Sequence, residues 1–302
     1  MKKLKYLVMA AIAAVVFACG TTRTVPITGR KQNILVSDEQ VLSLSNQEYT
    51  NYMKSAKLST NSANTAMVKR VGQRLANAVE TYLNEHGMAA DAKEYSWEFN
   101  LVQDKSVNAF CMPGGKIVVY EGLLPITQDE ASLAIVLGHE IAHAVAKHSA
   151  EQMSKQIKNQ YGTQILGQVL NAAGVSSSTT QLAQIIAQKG LQFRSLKYSR
   201  DNESEADHMG LIFAAMAGYD PNVAVTFWQR MAQATGSNNQ SDIFSDHPSD
   251  AKRIAAIKQE LPEALTYYKP VKTTTTTKKT TTSTKKKTRT TSKKKKTTTR
   301  RK

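Results

Sequence analysis

The feature that most constrains this chain is Gly138-His139-Glu140-Ile141-Ala142-His143, a His-Glu-x-x-His run in an apolar stretch with Leu133, Val136 and Leu137. Residues i and i+4 of a helix lie on one face, about one turn apart. Two imidazoles so placed can take two corners of a tetrahedral zinc site. The carboxylate beside the first can hold the attacking water and accept its proton. Any fold of this chain must therefore bury a helix around residue 140 and bring another donor to it. A catalytic zinc needs a third protein ligand and an open position.

Thr127-Gln128-Asp129-Glu130 has the form of a capping box and predicts the start of that helix, which should run through residue 150 or beyond. His148, five residues past His143, would then lie about 500° along the helix, some 140° away from the His143 face. A three-histidine pattern asks for a glycine and a histidine where this chain has Ala146 and Ser149. His148 is accordingly expected behind the ligands or at the surface, and His86 and His208 are read as structural or exposed. A better donor lies in Glu203-Ser204-Glu205-Ala206-Asp207. Glu203 and Asp207 are again i and i+4, so one can ligate the metal while the other holds a ligand imidazole by its second N–H. Glu205 is about 200° of helix from Glu203 and is expected to point elsewhere.

The rest of the body reads as mostly helical with a small sheet. Helical spacing covers 37–58 and 65–85, the second with Val68, Val71, Leu75 and Val79 on one face. Tyr95, Trp97, Phe99 and Leu101 alternate with more polar residues, as a half-buried strand does. Val107–Cys111 and Lys116–Tyr120 are two more strands around the turn Pro113-Gly114-Gly115. Residues 171–180 read as a loop, and helices fit 181–192, 201–217, 221–234 and 248–260. The expected class is α+β, mostly helical, with about three strands.

The two ends differ from the body. The formal net charge is +16, yet 14 of the 40 Lys+Arg fall in 271–302 and three in 1–18, with no acid in either segment. Residues 19–270 are left at −1, which gives no basic body for nucleic acid to bind. Lys2, Lys3 and Lys5 precede an uncharged apolar run from Tyr6 to Ala18. That run is short of the roughly 20 residues a spanning helix needs and has the shape of a secretory signal peptide. Val16-Phe17-Ala18-Cys19-Gly20 resembles a bacterial lipobox, with Cys19 as the lipidated first residue of the mature chain. Cys111 is then the one remaining thiol. Residues 19–33 are expected to be a linker, 34–268 the folded domain, and 269–302 a disordered Thr/Lys-rich tail. Such a tail either attaches to anionic envelope polymers or merely solubilises.

Taken together, several segments resemble the zinc metallopeptidase family that includes the CAAX prenyl proteases, HtpX, BepA and LoiP. They are Asn108-Ala109-Phe110, Pro113-Gly114-Gly115, Val136 to His143, Glu203 to Asp207, and His247-Pro248 followed by Arg253. The resemblance implies a gluzincin-type zincin fold and one Zn2+ per chain held by His139, His143 and Glu203. It implies Glu140 as general base and Asp207 as the partner of a ligand histidine. It places Asn108 on an edge strand that pairs with extended substrate, and His247 and Arg253 near the developing oxyanion. Cys111 departs from the family's usual small or hydroxyl residue. With no second spanning stretch and no repeat domain after residue 262, the lipoprotein branch of the LoiP type fits best. The expected function is a zinc metalloendopeptidase of the bacterial cell envelope, on the periplasmic side of a membrane, with the outer membrane favoured. It would act on protein or peptide substrates in quality control. The alternatives are an envelope assembly factor that holds clients in the same groove without cutting them, and a polyanion-binding adaptor.

Overall fold

Local signals in the sequence start most of the helices. Ser37 accepts from the backbone N–H of Gln40, whose side chain accepts in return from Ser37, and α1 (Asp38–Ser55) follows. Asn61 caps α2 (Ser62–Glu85), whose stripe of Val68, Val71, Leu75 and Val79 is fully buried. The computed structural model describes residues 21–171, 193, 196–236 and 251–270. Cys19, His247, all of the expected loop 171–180 after Asn171 (itself helical), the helix expected over 181–192 and the tail 271–302 lie outside them.

Three strands form the central sheet: β3 (Glu98–Val102), β4 (Ala109–Met112) and β5 (Lys116–Tyr120). Their order is β3-β5-β4, with β3 parallel and β4 antiparallel to β5. The period of two divides their side chains. Phe99, Leu101, Ala109, Cys111, Ile117 and Val119 join the main core, while Val102, Met112, Val118 and Tyr120 pack with Tyr49 of α1 on the other face. The alternation expected from Tyr95 onward is present, although regular pairing begins only at Glu98; Tyr95, Trp97 and Phe99 stack ring on ring.

Beyond the sheet, α3 (Glu130–Val145) runs through the core, followed by α4 (His148–Asn171), α5 (Arg200–Met216), α6 (Val223–Gly236) and α7 (Ala251–Tyr267). None of the helices in the described residues is long and apolar enough to cross a membrane. Two expectations about α3 need correction. Its N-cap is Asp129, whose side chain accepts from the Ser132 N–H at 2.7 Å, and Thr127 belongs to the preceding one-turn helix. Its end comes at Val145, because Lys147 takes a left-handed conformation with φ 54°.

The segment read as a linker, 19–33, is also different. From Thr21 it forms an antiparallel hairpin, β1 (Thr21–Thr24) with β2 (Lys31–Ile34). Gly29 at φ 68° helps the chain reverse between them. The hairpin buries Val25 in the main core and Ile34 in a smaller cluster with Val41, Met153 and Ile157, and polar contacts tie it to α3, α4 and α5.

Candidate active site

The site is built where α3 crosses α5, and two glycines set how closely they approach. A Cβ on Gly138 would meet the Gly210 carbonyl oxygen at 2.7 Å, and one on Gly210 would meet the His139 backbone N at 2.7 Å. With both side chains absent, the first turns of α5 come directly against the His-Glu-x-x-His face. Ser199 and Asn202 form a capping box that fixes where α5 starts, and so fixes the phase that turns Glu203 and Asp207 inward.

Three buried donors converge there. His139 Nε2 and His143 Nε2 are 3.1 Å apart. Glu203 places Oε2 3.4 Å from His139 Nε2 and Oε1 3.5 Å from His143 Nε2. One ligand atom from each residue lies within 4.8 Å of the others. A tetrahedral zinc with bonds of about 2.0–2.1 Å separates its donors by roughly 3.3–3.4 Å. Spacing, burial and chemistry of the donor set all fit zinc. Glu140 is buried next to His139 on the same helix, at 4% exposure.

Both imidazoles turn Nε2 to the donor cluster, so each Nδ1 needs a partner behind it. His139 Nδ1 meets Asp207 Oδ1 at 2.9 Å. Arg253 donates to both Asp207 oxygens at 2.7 Å and lies 3.5 Å over the Trp228 ring. Burial works against the Asp207 carboxylate, but Arg253 and His139 outweigh it and hold its pKa below the usual value. Burial likewise lowers His139, while its bonds to Asp207 and Glu203 outweigh this and push it up to about 9. An imidazole ligates only through an unprotonated nitrogen, so proton and metal compete here. Arg253, expected beside the developing oxyanion, is engaged behind His139 by Asp207 and Trp228.

His143 Nδ1 meets His148 Nδ1 at 2.8 Å, and the His143 ring stacks on Tyr198 at 4.1 Å. Tyr198 is fixed in turn by a 2.8 Å hydroxyl contact with Ser149. His148 is fully buried. Of the two places expected for it, it occupies the one behind the ligands. The break at Lys147 puts it there, where a continuous helix would have turned it away. Glu205, two residues from Glu203, meets His148 Nε2 at 2.9 Å and does not face the donor cluster.

On the other side of α3, Asn108 directly precedes β4, and its carbonyl accepts from the Tyr120 N–H at 3.0 Å. Among the described residues β4 has a strand neighbour on one side only. Cys111 of β4 is buried near Glu140; burial first, then that carboxylate's charge, raise its thiol pKa well above the usual value. Sequence reasoning missed Thr28, Arg30, Tyr198 and Trp228. No motif marks them, because each reaches the site through the fold and not through its spacing from His139.

Residues 62–261 match the model of peptidase family M48. The chain belongs to peptidase family M48. M48 peptidases are zinc-dependent, in keeping with the buried His139, His143 and Glu203 donors of this member. The chain is 41% identical over 172 residues to the mitochondrial metalloendopeptidase OMA1 of Schizosaccharomyces pombe, covering 57% of this chain and 48% of that one. It is 31% identical over 244 residues to the mitochondrial metalloendopeptidase OMA1 of Homo sapiens, covering 80% and 46%. It is 29% identical over 186 residues to the beta-barrel assembly-enhancing protease of Escherichia coli K12, covering 58% and 37%. This M48 chain thus spans half or less of the length of these curated relatives.

Proposed function

We propose that this M48 chain is a zinc-dependent endopeptidase of the bacterial cell envelope. The observation that carries the catalytic part is the convergence of His139, His143 and Glu203 beside a buried Glu140. Zinc bound there supplies Lewis acidity, which polarises the scissile carbonyl and acidifies the water. Glu140 orients that water, takes its proton and delivers it to the leaving amine. Burial of the site excludes bulk water and strengthens each of these interactions. An extended peptide pairs with the open side of β4 near Asn108, main chain to main chain, which suits an endopeptidase because no chain terminus has to be recognised. His247, by resemblance, donates to the developing oxyanion.

The envelope assignment rests on residues 1–19. Their basic start, short apolar run and Ala18-Cys19-Gly20 suit export and a lipid anchor on Cys19, as in the lipoprotein branch of the LoiP type. The relatives' names divide between mitochondria and a bacterial protease named for β-barrel assembly. The second fits damaged or misassembled envelope proteins as substrates. The basic tail supplies a second, electrostatic hold on anionic polymers or lipid.

Glu140→Gln tests the catalytic part, with casein digestion and zinc content measured on the same preparations. The variant should keep zinc and lose cleavage. Cleavage at the wild-type rate would assign the base elsewhere, and a wild-type chain that holds zinc but cuts nothing would favour the assembly factor.

A further inference from the structure

The donor cluster accounts for Glu203 and Asp207 but leaves Glu205, the middle acid of the same run, without a part. Its surroundings are well defined. Glu205 is 8% exposed. Its Oε2 faces His148 Nε2 at 2.9 Å and accepts from Arg30 Nε at 2.8 Å, and its Oε1 accepts from the Thr28 hydroxyl at 2.5 Å. Thr28 and Arg30 come from the reversal between β1 and β2, some 175 residues away in sequence. The same hairpin reaches the end of α3, where Gln32 Nε2 donates to the Ala146 carbonyl at 2.9 Å.

We infer that the N-terminal hairpin positions the second zinc-ligating histidine through a relay running from Thr28 and Arg30 to Glu205, His148 and His143. The protons settle the direction of each bond. Ligation through His143 Nε2 leaves the proton of the neutral ring on Nδ1. That N–H donates to His148 Nδ1, which must then be the acceptor. A neutral His148 carries its own proton on Nε2 and donates it to Glu205. The Arg30 guanidinium and Thr28 hydroxyl, both donors, hold the carboxylate in place. Each atom has one role and none conflicts. His139 and His143 are thus oriented by two acids of one helix: Asp207 acts directly, and Glu205 acts at one remove through His148.

The inference rests on His139, His143 and Glu203 being the zinc ligands, so the experiment tests both. Zinc alone is the probe, titrated against a chelator on the purified full chain. Glu203→Ala should lose zinc, which establishes the ligand set. His148→Phe keeps an aromatic ring and removes both nitrogens of the relay; its zinc dissociation constant should rise roughly 10–100-fold, the range for lost partners of ligand imidazoles. Glu205→Ala should do the same. Because the two act in series, His148→Phe with Glu205→Ala should be little worse than either alone, whereas independent packing losses would multiply. Gln73→Ala, on the exposed face of α2 with Asn77 as its partner, shares no contact with the relay and should leave zinc affinity within about twofold.

Zinc bound at wild-type affinity by His148→Phe and Glu205→Ala, with Glu203→Ala depleted, overturns the relay and leaves the ligand set standing. Zinc retained by Glu203→Ala overturns the ligand set first. If the variants do not fold, nitrogen NMR of the zinc-loaded wild type decides. A His148 proton on Nε2 alone supports the relay, and a proton on Nδ1 overturns it.

Discussion

Gly210→Ala sets two known effects against each other at one position. Inside a helix, alanine is favoured over glycine by about 1 kcal/mol, so on local grounds the substitution stabilises α5. The crossing says the opposite. The new Cβ would lie 2.7 Å from the His139 backbone N and 2.9 Å from the Gly138 carbonyl carbon, where ordinary contact begins near 3.4 Å. These neighbours are main chain and cannot rotate aside, so the helices must part by about 0.7 Å or bend. Overpacking of this kind costs about 1–3 kcal/mol. The net expectation is a loss of about 0–2 kcal/mol in urea unfolding of the metal-free chain. Metal sites tolerate distance errors of only about 0.2 Å. Moving α5 away from α3 withdraws Glu203 and Asp207 together, and zinc affinity should fall roughly 10-fold or more. Chelator competition measures that loss. A Gly210→Ala chain that is more stable by about 1 kcal/mol and binds zinc as tightly as wild type would refute the close crossing as the device that builds the site.

Asp207→Ala should weaken zinc binding roughly 10–100-fold and also destabilise the fold by about 3–5 kcal/mol, since it strands a buried Arg253; loss of metal without loss of stability would show that Arg253 finds another partner. Burial, with the charges of Asp207 and Glu263, pushes the Glu260 carboxyl from 4.5 up to about 7, so its protonated form favours the fold and that contribution is full below pH 4.5 and lost as pH rises through 7. Glu260→Gln should therefore gain on wild type by about 1–3 kcal/mol between pH 4.5 and 8, and a constant difference across that range in urea unfolding would contradict the assignment. Deleting 271–302 should leave peptide hydrolysis in solution unchanged and weaken binding to anionic vesicles most at low salt, while equal binding with and without the tail would remove it as an electrostatic anchor.

The parts of the fold legible in sequence were those whose signal is local. The α2 stripe and the alternation leading into β3 each depend on residues within a few positions of one another. The donor set was legible for the same reason: His139 with His143, and Glu203 with Asp207, each share one face of one helix. What escaped was set by tertiary contact. Glu205 looked irrelevant because helical phase turns it from the metal donors, yet phase says nothing about what it meets on its own side. Arg253 was expected beside the developing oxyanion, and the chain holds it behind His139 through Asp207 and Trp228. The segment 19–33 read as a linker, yet from Thr21 it pairs as a hairpin that buries Val25 and Ile34 and reaches the site through Thr28, Arg30 and Gln32, contacts with residues far away in sequence.

The short break after α3 joins these observations. Lys147 adopts φ 54°, a conformation that costs an L-residue roughly 1–2 kcal/mol. The surroundings hold it there. The Lys147 ammonium reaches Asp38 at 2.9 Å and Glu94 at 2.8 Å, and lies 3.2 Å from Asp91, while its backbone N–H donates to Ala144. These acids come from the start of α1 and from the turns before β3, so two distant segments fix where α3 ends. Gln32 takes the Ala146 carbonyl that the ending helix leaves over. If the helix continued, His148 would point roughly 140° away from His143. With the break, the two rings meet at 2.8 Å. The His-Glu-x-x-His motif is thus a local pattern whose second histidine is oriented by residues from the hairpin, from α1 and from the turns before β3. A substitution at Lys147 or Arg30 belongs to the chemistry of the site as much as to the stability of the fold.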